Sequence, residues 1–455
     1  MEMVLEFLRD VLSQPALLIG IMSCVGLVAL KRPFHKVMTG TLKPILGYLM
    51  LAAGAGVIVS NLDPLGKMIE HGFHITGVVP NNEAIVAVAQ KVLGVETMSI
   101  LVVGLLMNLC IARFTKFKYV FLTGHHSLFM ACLMSAVLGT AGLSGIELIL
   151  VGGFLMGAWS AISPAIGQSY TSKVTDGDEI ALGHFGSLGY YLSAWVAKYV
   201  GKAEDSTEDI EIPEKWGFLR DSTLSTALTM IVFYLIAALA AGSEFVATLS
   251  GSMSPYLFAV MSAMNFAVGV AIVYSGVRMI LGDLIPAFQG IATKIIPNAI
   301  PAVDCAVFFT YAPTAVVLGF ISSFIGGIIG MLILGAVGGV LIIPGLVPHF
   351  FCGATAGIYG NATGGRRGAA VGAFLNGLAI TFLPALALPV LGQLGFQNTT
   401  FGDADFAVMG LVLGNAFEWI GMAGIYGVVV IAALVLIIPN FIKTKGKVIN
   451  YVEEE

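Results

Sequence analysis

The chain has 455 residues, 57% of them hydrophobic and 11% charged, and its mean hydropathy is +0.93. A soluble domain carries roughly 25% charged residues and cannot hide this much apolar surface, so lipid must be the solvent for most of the chain and a soluble enzyme is excluded. The net charge of −5 is spread over a few loops with no long basic run, which also speaks against nucleic-acid binding.

The N-terminal segment MEMVLEFLRD has neither a basic region nor a small-residue cleavage site, so the first apolar segment reads as a retained helix, not a signal peptide. Stretches long enough to span a bilayer follow at 15–30, 44–60, 96–112, 119–141, 145–167, 223–245, 256–279, 317–343, 349–364, 368–391 and 424–441. Together they predict an all-α membrane protein of about eleven transmembrane helices. Residues 177–199 and 402–421 are apolar but punctuated by Gly and polar side chains, and they read as re-entrant hairpins. Such backbone is allowed at membrane depth only where protein or a water-filled cavity shields it.

Lys31, Arg32, Lys36, Lys43, Arg113, Lys116, Lys118, Lys198, Lys202, Lys215, Arg220, Arg366, Arg367, Lys443, Lys445 and Lys447 all fall on one side if the N-terminus is outside and the C-terminus inside. The longest polar segment, 201–222, is then cytoplasmic. It reads either as a docking surface for a soluble partner or as a solvated linker.

Self-similarity divides the chain further. Gly56-Val57 and Asp63 resemble Gly276-Val277 and Asp283; Pro80 with Glu83 resembles Pro301 with Asp304; His125 matches His349; and Thr175 with Gly177-Asp178 matches Thr400 with Gly402-Asp403. The matches keep their order at a nearly constant separation. Five spans per copy is an odd number, so the second copy enters from the opposite side: an extra first helix (1–42), inverted repeats over 43–245 and 246–442, and a cytoplasmic tail (443–455).

Polar groups in apolar context carry the functional reading. A charged side chain at the bilayer centre costs about 2.5–3.5 kcal/mol on insertion scales, so it faces a cavity or a partner. Asp304, between Pro301 and Pro313, sits where a helix is interrupted, and it either contacts a solute or bonds another helix. Glu83, its repeat mate, lies either in the site or at a watery interface. Of His125 and His126, adjacent on a helix, one is expected to look inward, and His125 is the candidate. His184 stands between Gly183 and Phe185-Gly186, where glycine permits close backbone approach. His349 is a weaker candidate, and the run from Gly353 through Ala354, Thr355 and Ala356 offers either backbone N–H groups or tight helix packing. Glu418 reads as structural. The five Cys (24, 110, 132, 305 and 352) lie in apolar stretches without metal-ligand spacing, and no GxxxxGK[ST] motif is present, so neither a metal nor ATP hydrolysis is expected. Acid, imidazole and Gly amides suit hydroxyls or a small sugar acid.

GYLMLAAGAGVIVSN, FLTGH, VTDGDEIALGH, IPAVDCAVFFTYAPTAVVLGF and LIIPGLVPHFFCGATAG resemble the L-ascorbate-specific IIC permease of the bacterial phosphotransferase system from about residue 15 to 440, with the related galactitol permeases a weaker match. The resemblance implies a homodimer in the bacterial inner membrane, a scaffold region, a mobile core and elevator-like alternating access. It also implies delivery of the sugar to a cytoplasmic IIB protein, itself served by IIA. Phosphoryl chemistry would then belong to the partner: no segment here reads as a IIA or IIB domain, and no catalytic residue or cofactor is expected. The family's substrate positions carry over onto His125, His184 and Asp304, with support from Gly353–Ala356. Three positions depart from the family: Ala55 stands where it has Ser, and Phe129 and Phe185 where it has Gln. A site that bonds hydroxyls binds poorly when partners are missing, so a different polyol or sugar acid competes with ascorbate as the cargo. An ion-coupled carrier using Asp304 or Glu83 is the competing class.

Overall fold

A computed structural model describes residues 11, 14–74, 77–80, 82–210, 222–392 and 399–441. In chain order the elements are α1 (Pro15–Ala29), α2 (Phe34–Gly72), β1 (Val79–Pro80), α3 (Asn82–Phe114), β2 (Tyr119–Phe121), α4 (Gly124–Thr140), α5 (Gly145–Thr175), β3 (Ala181–Leu182) and α6 (Ser187–Val200). They continue with α7 (Ser222–Ala241), α8 (Ser243–Ser250), α9 (Pro255–Lys294), β4 (Ile300–Val303), a 3₁₀ turn (Cys305–Thr310), α10 (Pro313–Ala336), α11 (Leu346–Gly392), β5 (Thr399–Thr400), α12 (Ala404–Ile420) and α13 (Met422–Ile437). The chain is mostly helical because a helix satisfies its own backbone groups in a medium that offers none.

Each of the eleven apolar stretches lies mostly on a helix, although 119–141 opens with β2 and 317–343 runs past the end of α10, and not every one qualifies as a span. Among the described residues seven helices are long and apolar enough to cross a membrane, or eight if Thr226–Ala241 and Ser243–Ser250, bent by 117°, form one broken span. α1 and α4 are short, and 349–364 and 368–391 share α11, interrupted at Gly364 and Gly365. Gly365 sits at φ 59°, a conformation glycine adopts without strain. The two expected hairpins are each a short strand followed by a helix: β3 with α6, and β5 with α12.

The short strands lie at the middle of the fold. β4 is flanked in parallel by β2 and β3, with Phe121 and Ala181 both opposite Ala302. β1 pairs in parallel with β5, Val79 opposite Thr399, and Val78 bridges to Ile342. Pairing one with another spares these extended segments unpaired polar groups.

The helices pack as two bodies. α1, α2, α7, α8 and α9 form one; α3 to α6 and α10 to α13 form the other. In the first, α2 and α9 cross on glycine: a Cβ on Gly47 would come within 2.9 Å of the Gly276 carbonyl oxygen, and one on Gly54 within 2.7 Å of that of Gly269. Small residues at a crossing let backbones touch, which is how helices associate in lipid.

The first half of the polar loop is bonded to the second body and is no free linker. The Arg366 N–H donates to Asp205 O (2.8 Å), Thr207 N–H to Asn361 Oδ1 (2.8 Å), and Glu208 accepts the Thr314 and Ala315 N–H groups (both 3.1 Å) at the start of α10. Residues 211–221 and the tail 443–455 lie outside the described residues.

Candidate functional site

A cavity of about 1360 Å³ opens between the two bodies. Its polar inner wall comes from segments that leave a strand for a helix, where backbone geometry changes and side chains turn inward. Asp304 follows β4 and caps the 3₁₀ turn, accepting the Ala306 N–H (3.0 Å) on Oδ1. Its Oδ2 lies 3.5 Å from His125 Nε2, and His125 Nδ1 is 3.2 Å from the Tyr48 hydroxyl. Tyr48 belongs to α2, so this chain of contacts crosses from one body to the other.

His184 follows β3 and Gly183, whose N–H donates to Val303 O (2.7 Å). Its Nδ1 accepts the Gly186 N–H (3.1 Å) and lies 2.9 Å from the Tyr190 hydroxyl. His126 is buried beside it with ring centroids 3.8 Å apart, and its Nδ1 accepts the Phe185 N–H (3.3 Å). Both Nδ1 lone pairs are thus occupied, which leaves Nε2 of each neutral ring carrying the proton. The two imidazoles are held as hydrogen-bond donors.

His125, His184, Asp304 and Phe129 all line the cavity, and so does His126, although one inward-facing histidine was expected. Phe185 is fully buried instead: its ring stacks on Phe121 (4.6 Å) and it serves the site through its backbone. The Gly353–Ala356 run also lies outside the lining. Gly353 and Gly357 pack against Gly319 of α10, and Ala356 O accepts the Ser193 hydroxyl (2.6 Å). Here the packing alternative fits the geometry. His349 is buried against Ser323 (2.9 Å), away from the cavity, and Glu418 is exposed. The side chains of Ala55 and Glu83 lie outside the described residues.

Among the lining residues, Tyr48, Asn82 and Asp403 are polar groups that sequence reasoning does not single out as site residues. Asp403 Oδ2 accepts from Asn82 Nδ2 (2.6 Å), its Oδ1 accepts the Cys352 thiol (3.0 Å), and Oδ1 lies 3.8 Å from His184 Nδ1. Behind it the buried Asp405 accepts from Trp159 Nε1 (3.1 Å), Ser187 Oγ (2.7 Å) and the Leu188 N–H (2.9 Å), so a residue of α12 caps α6. The signals available for Asp403 were its place in the internal repeat and GDAD at the head of an apolar segment.

Donor atoms of His126, His184 and Asp403, and of His184, Asp304 and Cys305, lie within 4.8 Å of one another. That spacing would suit a metal, but both imidazoles already spend their Nδ1 lone pair on backbone N–H groups and present a protonated Nε2. The arrangement suits hydroxyl and carboxyl groups better: imidazole donors on one side, carboxylate acceptors on the other.

The model of the phosphotransferase-system sugar-specific permease component family matches residues 10–405. The chain is also similar to the ascorbate-specific phosphotransferase-system EIIC component of Mycoplasma pneumoniae, 27% identical over 417 residues that cover 78% of this chain. The match spans 62% of that relative's length.

Proposed function

The chain belongs to the family of phosphotransferase-system sugar-specific permease components, a multi-pass membrane family, and we propose that it binds L-ascorbate or a related sugar acid or polyol and carries it across the bacterial inner membrane to a cytoplasmic IIB protein that phosphorylates it. The observation that carries this reading is the wall shared between two bodies, with Tyr48 from one meeting His125 and Asp304 from the other. A site on such a seam changes its exposure when one body slides past the other, as elevator-like alternating access requires.

An inverted repeat is supported by pairings that recur about 222 residues apart. Gly47 and Gly54 of α2 face Gly276 and Gly269 of α9, each glycine's counterpart lying 222 residues on. α2 and α9 have 39 and 40 residues and carry Pro64 and Pro286 at the same separation. β4 sits between β2 and β3, while β1 sits between Ile342 and β5, the same arrangement with the halves exchanged. This register moves the fourth sequence match: β3 corresponds to β5, and His184 to Asp403, whereas Asp178 is exposed.

With the N-terminus outside, Asp63, Lys67 and Glu70 toward the end of α2 form an outer rim, and the cavity is open outward. The homodimer and the IIB contact follow from the family reading.

The ion-coupled alternative draws on one observation. Asp304 and Asp403 share the inner wall, and the one Lys or Arg among the described lining residues is Lys67, paired with Asp63 at 2.7 Å. Uptake into membrane vesicles with the phosphorelay reconstituted separates the two. Phosphorylated sugar inside is the expected product; free sugar accumulating down an ion gradient overturns the permease reading.

A further inference from the structure

Two tips of the chain meet at the cavity, and they are built alike. The first runs β3, Gly183, His184, α6; the second runs β5, Gly402, Asp403, α12. Each is paired with a strand that leads into another polar residue: β4 into Asp304, β1 toward Asn82. His184 and Asp304 have donor atoms within 4.8 Å, and Asn82 grips the second tip twice, donating to Asp403 Oδ2 (2.6 Å) and accepting the Gly402 N–H on Oδ1 (2.9 Å). All four side chains line the cavity.

Local structure does not explain Asp403. It stands at the N-cap of α12, where an aspartate ordinarily accepts an N–H of its own helix, yet it makes no such bond. Asp304 and Asp405 do cap helical turns. The Asp403 carboxylate is turned away from α12 toward Asn82, Cys352 and His184. An amide and a thiol fill two of its roughly four acceptor positions, and no Lys or Arg lies with it on the inner wall. A buried carboxylate so lightly supplied with donors has capacity left for hydroxyls of a solute in the cavity.

We propose that Asp403, positioned by Asn82, is a specificity-determining residue of the cargo site, the counterpart in the second half of His184 in the first. The solute is then held from both halves, by Asp304 and His184 on one side and by Asp403 on the other. A polyhydroxylated molecule with hydroxyl donors at two separated places fits such a site. The inference rests on the cavity being the cargo site of the permease proposed above.

The test uses the full chain in lipid nanodiscs with L-ascorbate and galactitol as probes. In Asp403→Asn the carboxamide oxygen still accepts from Asn82 while the charge is gone, so the melting temperature should hold while the better-bound sugar weakens tenfold or more, about 1.4 kcal/mol. The exchange Asn82→Asp with Asp403→Asn keeps the mutual bond and an acceptor for the Gly402 N–H, but moves the charge off His184. It should lose binding to the same degree. Wild-type affinity in both variants overturns the proposal and leaves Asp403 a structural residue.

A second readout needs no sugar. Asp403→Cys, with the five native cysteines replaced by alanine, should react with a small water-soluble methanethiosulfonate reagent as Lys67→Cys at the rim does. A reactive position 67 with an inert position 403 also overturns the proposal. If the wild type holds neither sugar, the substrate reading fails first and the specificity claim falls with it, while labelling still reports whether residue 403 faces the cavity.

Discussion

Glycine serves opposite ends in two regions of this molecule. Along the α2–α9 crossing, Gly47, Gly54, Gly269 and Gly276 let the two backbones touch. At the tips, Gly183 and Gly402 let the chain leave one regular element for another and bring backbone close to backbone or to a proline ring, so that His184 and Asp403 can face the cavity. The first region spends its glycines on packing, the second on placing chemistry. A larger side chain should therefore break the first as a scaffold and the second as a site.

The largest effect is expected at the crossing. A Cβ on Gly276 would sit 2.6 Å from both the Gly47 carbonyl oxygen and the Leu51 nitrogen, atoms that cannot swing aside. Gly276→Val should cost more than the ~1–3 kcal/mol of ordinary overpacking, read as loss of folded yield and of melting temperature in detergent. A stable Gly276→Val protein would mean the two helices do not cross there.

At the tips, losing a polar anchor is the sharper perturbation. Asp405→Ala strands three donors, the buried Ser187 Oγ and the half-buried Trp159 Nε1 and Leu188 N–H, and removes the link from α12 to α6. A buried donor left without its acceptor typically costs about 1–3 kcal/mol, and here several lose theirs together. Phe185→Gln is milder: it puts an amide among Phe121 and Phe406 without a partner, at about 1–3 kcal/mol. Both are checked by thermal unfolding, and Asp405→Ala should lower the midpoint more.

Changes to the cavity-facing groups should spare the fold and act on binding. Asp304→Asn and His184→Ala are each expected to weaken the sugar tenfold or more, about 1.4 kcal/mol, in direct binding to purified protein. Wild-type affinity in both would move the cargo site elsewhere.

The sequence carried the helices well, because a run of apolar residues reports its own surroundings: each of the eleven stretches is mostly helical, although among the described residues only seven or eight helices are long and apolar enough to span. It also put forward His125, His184 and Asp304 as polar groups in apolar stretches, and the structure brings the three to one cavity. It could not carry contacts between distant segments. Asp403 touches Asn82 and Cys352, 321 and 51 residues away in sequence, and nothing in GDAD reveals those partners. The parallel strands of two to four residues are too short to show periodicity. His126 was passed over on a helix-face argument that fails at the first turn of α4, where the cavity wraps the helix end. Gly353–Ala356 read equally well as amide donors or as packing, since both demand small residues, and Gly319 on α10 provides the packing partner.

The smallest expected effect is the most informative about the cargo. Of the three departures from the related permeases, Phe129 is the one whose side chain lies on the cavity wall; Phe185 is buried among aromatics, and the side chain of Ala55 lies outside the described residues. Restoring Gln at 129 and 185 together would confound a gain at the wall with a loss in the core, so the useful variant is Phe129→Gln alone. Phe129 lies near His125, His126 and Phe406, with ring centroids 5.8, 5.7 and 6.3 Å away, so a glutamine amide there reaches the space before the two imidazoles. One added hydrogen bond to a hydroxyl is worth about 0.5–1.5 kcal/mol, a few-fold to roughly tenfold. If the cargo is ascorbate, Phe129→Gln should tighten ascorbate by that factor and leave galactitol unchanged. The reverse pattern, or a loss for both sugars, would mean that the phenylalanine ring contacts the natural cargo directly and that this permease has changed its sugar.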